Sequence, residues 1–166
     1  MATYAKDTTV SVERSQAEIR RIFERYKASE FLFGQRDIMA TVAFRAQGRN
    51  IILPVPMPDR NSSTIKYMPS RSKYDAHGPL RSENSRELAY QQEVRQRWRV
   101  LVLLLKAKLE SIELGLSTFE NEFLAYTMLP SGRTIGQELQ GQVDHMMLTG
   151  QVPNLLPALR DGRGDA

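Results

Sequence analysis

The stretch Ser85–Gly115, SRELAYQQEVRQRWRVLVLLLKAKLESIELG, constrains the fold of this chain more than any other. In it and just beyond it, Val94, Trp98, Leu101, Leu105, Leu109, Ile112 and Leu116 recur in steps of four and three, the period of a helical stripe. Good helix formers dominate, no proline falls between Leu80 and Leu129, and Gly115 supplies a C-terminal stop. The spacing predicts one helix of some 45 Å at about 1.5 Å per residue. A helix that long needs partners along its length. Between Val100 and Leu105 it is apolar all round, so burial on more than one side, as core or as a subunit interface, is expected. That run is too short to span a membrane.

The partners are legible upstream. Ser11–Ala28 reads as a first helix with Val12, Ser15, Ile19, Ile22, Phe23 and Tyr26 inward, capped by Ser11 or Ser15. The period then changes to two. Glu30–Gly34 is a short strand. Ile38–Ala46 alternates, with Ile38, Ala40, Val42, Phe44 and Ala46 on one face. After a turn at Gln47-Gly48-Arg49-Asn50, residues 50–55 return as a third strand, ended or placed at an edge by Pro54, Pro56 and Pro58. Residues 57–84, rich in Ser, Pro, Asn and Arg, read as a flexible basic loop, with a short fourth strand possible at Thr64–Met68. Beyond the long helix, a capping pattern at Ser117–Glu120 opens a helix to about Met128. Thr134 caps a last one with Ile135, Leu139, Val143 and Met146 or Met147 inward. The expected class is α+β: a three-stranded, or four-stranded, antiparallel meander covered by the first and long helices, in the order α-β-β-β-loop-α-α-α. One domain over residues 1–160 is expected, with a Pro/Leu then polar tail at 150–166.

Charge is distributed unevenly. The net +4 divides into +2 over residues 1–59, +7 over 60–108 and −5 over 109–166. The middle is therefore the candidate anion-binding surface. Between Arg60 and Lys108, basic side chains interleave with Tyr67, Tyr74, Tyr90 and Trp98, the combination that neutralises phosphates and stacks on unpaired bases. The expected contacts are Arg60, Lys66, Tyr67, Arg71, Lys73, Tyr74 and Arg81 in the loop, with Arg95, Arg99 and Lys106 on one stripe of the long helix. Trp98 lies on the apolar stripe and is expected in the core. The competing expectation is that the basic stripe is an ordinary solvated face.

Catalytic chemistry finds no footing. There is no cysteine, and His77 and His145 lie in no ligand spacing, so neither thiolate chemistry nor a metal site is expected. No Gly-x-Ser-x-Gly, Walker or dinucleotide-binding pattern occurs, and no cofactor is expected. The first residues lack the apolar core of a secretory signal, which points to a cytoplasmic protein with no membrane partner.

Several short segments carry a resemblance. Val10–Ser15, Arg25-Tyr26-Lys27-Ala28, Ala43-Phe44-Arg45, Leu53–Pro58, Arg97-Trp98-Arg99, Lys106–Glu110 and Phe119–Ala125, in this order, resemble a group of small proteins encoded in bacteriophage and prophage genomes, without assigned activity. The resemblance runs from Thr9 to Pro157 and implies a phage-encoded protein in the cytoplasm of a bacterial host. Two functions fit it. One is an accessory protein of replication or recombination that binds nucleic acid, single strands above all. The other is a non-enzymatic protein that sequesters a host defence component, as a homo-oligomer joined through Val100–Leu105 and the Pro/Leu tail.

Overall fold

The computed structural model describes residues 4–71 and 74–150. Its elements are α1 (Val12–Arg25), β1 (Ser29–Arg36), β2 (Met39–Ala46), β3 (Arg49–Pro56), α2 (Ser63–Lys66), α3 (Glu83–Glu113), α4 (Phe119–Phe123), a 3₁₀ turn (Leu124–Tyr126) and α5 (Ile135–Thr149). This is the expected α+β order. The strands form one antiparallel meander, β1-β2-β3.

Local chemistry explains the boundaries. Ser11, not Ser15, caps α1 by accepting from the Arg14 amide at 3.3 Å. Ser15 is instead buried one turn on, donating to the Ser11 carbonyl. β2 and β3 join through Gln47-Gly48, both in the left-handed region (φ 48° and 74°), a two-residue turn whose twist matches the strands. Ile38 does not belong to β2. It sits in the β1–β2 turn at 58% exposure, because Arg36 pairs with Met39 and leaves Asp37-Ile38 as the connection. Thr64–Met68 does not add a strand. Ser63–Lys66 closes a single helical turn that buries Ile65, and Tyr67 alone bridges to Leu80.

One face of the sheet makes the core. Ala40, Val42, Phe44, Ile51, Leu53 and Val55 point inward. They meet Ile19, Ile22 and Phe23 of α1, Trp98, Leu101, Val102, Leu105 and Leu109 of α3, and Phe119 and Phe123 around α4. Aromatic contacts tie the layers: Phe23 to Phe44 at 4.5 Å, Phe44 edge-on to Phe123 at 5.5 Å, and Phe33 edge-on to Trp98 at 5.9 Å. The middle of α3 is therefore core, as its stripe requires, with Leu103 half-buried and Val100 and Leu104 each 42% exposed. Leu116 lies past the helix end and is exposed, so it does not extend the stripe.

α5 departs from expectation. Its cap is complete, a reciprocal pair between Thr134 and Gln137. Yet none of its residues is buried, and Val143, Met147 and Leu148 are exposed. The stripe is real but only partly covered, with Ile135, Leu139 and Met146 half-buried and Val143 exposed. The helix is held chiefly at its start, where Gly136 lies so close to the 3₁₀ turn that a Cβ would meet the Ala125 carbonyl oxygen at 2.8 Å. Among the described residues no helix is long and apolar enough to cross a membrane.

Candidate interaction surfaces

The expected phosphate contacts divide into groups that the fold separates. Arg60 forms an ion pair with Glu87 on α3, and its guanidinium lies 3.8 Å from the Tyr90 ring centroid. That hydrogen-bonded pairing raises the Arg60 pKa and lowers that of Glu87. Arg99 pairs with Glu18 on α1 at 2.5 Å, and Arg95 donates to Gln92 Oε1. Arg81 donates through Nε to the Tyr67 carbonyl oxygen at 3.0 Å. Of the helical stripe, only Lys106 stands exposed and outside any ion pair among the described residues. Residues 4–8 also lie against α3. Gln92 donates to the carbonyls of Lys6 and Thr8, and Gln96 to that of Tyr4. The same pattern recurs beside the stripe, where Arg97 donates to the Pro56 carbonyl and Lys108 to Glu122. Most of the basic side chains of α3 thus join the helix to the rest of the protein.

The loop is more structured than its composition suggests. The Tyr67–Leu80 bridge is extended by bonds from the Met68 amide to Pro79 O, from the Gly78 amide to Met68 O and from the Arg81 amide to Lys66 O. Tyr67 stacks on His77 with centroids 5.0 Å apart, so neither ring is a free base platform. Lys66 is half-buried beside this neck. Arg71 and Tyr74 lie at the outer end, with Tyr74 98% exposed. Lys73 lies outside the described residues, as do residues 151–166 of the Pro/Leu tail. At the loop base, a groove of about 450 Å³ is lined by Arg60, Ile65, Glu83, Asn84, Arg86 and Glu87. Its charged groups include the Arg60–Glu87 pair, which already satisfies itself.

A surface the charge pattern did not announce lies on the other side of the sheet. The register places Leu32, Ala43 and Ile52 in one outward row and Gly34, Thr41 and Pro54 in the next. A third row, Arg36, Met39 and Pro56, follows. Leu32 is 65% and Met39 40% exposed, and Pro54 and Pro56 are exposed. The packed helices α1, α3 and α4 all join the core on the opposite face. Charge appears only at the ends, with Arg45 paired to Glu30 at one and Arg36 at the other. A sheet face turned to water ordinarily alternates into polar residues. Here Ala43, Ile52 and Pro54 occupy those positions. That substitution was the available sequence signal.

The chain matches no family model, no curated protein and no solved structure.

Proposed function

We propose that the chain is a non-catalytic docking protein that engages protein partners through the open face of its sheet. The outward rows Leu32–Ala43–Ile52 and Gly34–Thr41–Pro54, uncharged and with Leu32 and Pro54 exposed beside half-buried neighbours, carry this reading. Isolated exposed apolar residues are ordinary, but a contiguous apolar surface on a rigid sheet marks an interaction site. The reading keeps the sequestering, oligomeric role that the sequence suggested, in a phage-bearing bacterial cytoplasm. It moves the interface from Val100–Leu105, where Leu101, Val102 and Leu105 are core, to the sheet. Site-specific photocrosslinking tests it. A benzophenone amino acid at Ile52 or Leu32, incorporated in cells making the protein, should yield a discrete protein adduct. The same group at Glu24, on the solvent side of α1, should yield none. No adduct at either sheet position would refute docking there.

A second reading, nucleic-acid binding, is supported by the exposed outer end of the 66–81 loop, where Arg71 and Tyr74 can reach phosphate and base together. It predicts a mobility shift with single-stranded DNA at low salt, where electrostatic attraction is strongest, lost in Arg71→Ala/Tyr74→Ala. An unshifted strand at low salt removes it.

A further inference from the structure

The open sheet face is suited to one kind of occupant in particular. At its centre Gly34, Thr41 and Ala43 are small and adjacent, so a second backbone can approach closely there. Two apolar sheet faces can pack on each other at about 10 Å with interdigitating side chains. We propose that the face is a two-fold interface between two copies of this chain, sheet on sheet, with the strands of the two copies running in opposite senses. The proposal rests on the docking reading above and names its partner.

Charge placement selects this orientation. Glu30 and Arg36 both lie on β1, at opposite ends of the outward face. Arg36 stands in no ion pair among the described residues. A two-fold axis lying in the interface and crossing the strands at right angles sets β1 over β1 of the second copy. The Glu30–Arg45 end of each then covers the Arg36 end of the other. Each Arg36 then lies over the Glu30–Arg45 pair of the other copy and can share its carboxylate, while the uncharged rows meet in the middle. The parallel arrangement would instead set the Arg36 end of β1 over the Pro56 end of β3, away from Glu30. Closed two-fold symmetry of this kind satisfies the face completely and does not propagate.

Area sets the strength. Three strands about 4.8 Å apart, with outward residues about 7 Å apart along each, present a projected face of about 400 Å² per copy. That is about half of a standard specific interface, which buries about 800 Å² per partner. The association is therefore concentration-dependent and weak rather than obligate.

Sedimentation equilibrium of the purified full chain, from low-micromolar to submillimolar concentration, tests this. The weight-average mass should climb from 19.0 kDa toward twice that value. Leu32→Lys should weaken association by about a hundredfold, because each dimer carries the substitution twice. Its circular dichroism and melting temperature at dilution should be unchanged, since Leu32 is 65% exposed. Arg36→Glu should also weaken the dimer, and Glu30→Arg combined with Arg36→Glu should restore it. A mass fixed at 19.0 kDa throughout overturns the proposal. So does a dimer that survives Leu32→Lys but is lost in Met147→Lys, which would place the contact on α5. A monomer whose Ile52 still crosslinks to a different protein overturns the self-association alone and leaves the docking reading intact.

Discussion

Leu53 and Ile52 are neighbours in β3 that point to opposite faces, and truncating each in turn measures how differently those faces are used. Leu53 is 2% exposed and belongs to the core cluster with Val42, Phe44 and Trp98. Leu53→Ala removes buried methyl groups and leaves a cavity between sheet and helices, which costs about 3 kcal/mol. For a chain of this length that corresponds to a fall of about 10 °C in Tm. Ile52 is half-buried on the outward face, flanked by Ala43 and open to water. Ile52→Ala loses part of a partly hydrated surface and a β-branched side chain, about 1 kcal/mol. Urea unfolding followed by Trp98 fluorescence is the natural assay, because Trp98 is the only tryptophan and is 3% exposed in the core. It should be run at sub-micromolar protein, where self-association adds nothing to stability. A gap of about 2 kcal/mol is expected, with equal m-values. If Ile52→Ala proved as costly as Leu53→Ala in the dilute monomer, the outward face would be covered by the chain itself, and the docking surface would not exist.

Three further outcomes follow from particular contacts. The Tyr26 hydroxyl donates to Glu110 Oε2 at 2.6 Å, and chiefly this bond pushes its pKa up from 10.0 to about 12. The raised value means its stabilisation is complete below about pH 10 and disappears as pH rises through about 12. In an ultraviolet titration one of the six tyrosinates should form last, and Tyr26→Phe should abolish that late step; an unchanged curve would remove the bond. Lys108 reaches both the Glu122 carboxylate, at 2.7 Å, and its carbonyl, at 3.0 Å, and the carboxylate hydrogen bond lowers the Glu122 pKa. Glu122→Gln should therefore be less stable than wild type at neutral pH, with the difference closing as pH falls through the carboxylate range; a pH-independent difference would assign the loss to something other than charge. Gly136→Ala, favourable by about 1 kcal/mol in an open helix, should here destabilise, because the new Cβ meets the Ala125 carbonyl oxygen at 2.8 Å. Faster amide exchange confined to α5 and the 3₁₀ turn would report it, whereas a raised Tm would show that the helix start is not tightly docked.

The elements were legible wherever one residue pattern had one physical use. Alternation from Ala40 to Ala46 fixes which face of β2 is core, and the stripe from Val94 to Ile112 fixes the buried side of α3. Short segments were not, since the four residues of α2 are fewer than either period needs to declare itself. α5 shows the limit of a stripe, which says what a helix can bury and not whether anything arrives to bury it. The partners of the basic stripe are hidden in the sequence for a related reason. A sequence displays Arg99 as a free cation, and only the fold brings Glu18 across 81 positions to meet it. Nor could composition show that Gln92 and Gln96 would tie down the carbonyls of residues 4–8.

The outward face of the sheet carries apolar side chains in the open, and the edges of the sheet explain how that exposure is tolerated. An exposed apolar sheet invites edge-to-edge pairing and aggregation unless its edges are blocked. Along β1, the register slips between Ser29 and Leu32, and Glu30 takes a left-handed backbone (φ 53°), so the edge is bulged and charged. Along β3, Pro54 and Pro56 have no amide to offer outward. Next to them the Met128 amide already occupies the Asn50 carbonyl at 2.8 Å, and Thr127 bridges to Ile51. Neither edge presents a continuous ladder to a stray strand. The face, by contrast, carries no such guard, with charge confined to its ends. A surface open in the one direction that permits closed pairing, and blocked in the directions that permit endless addition, is the arrangement a docking sheet requires.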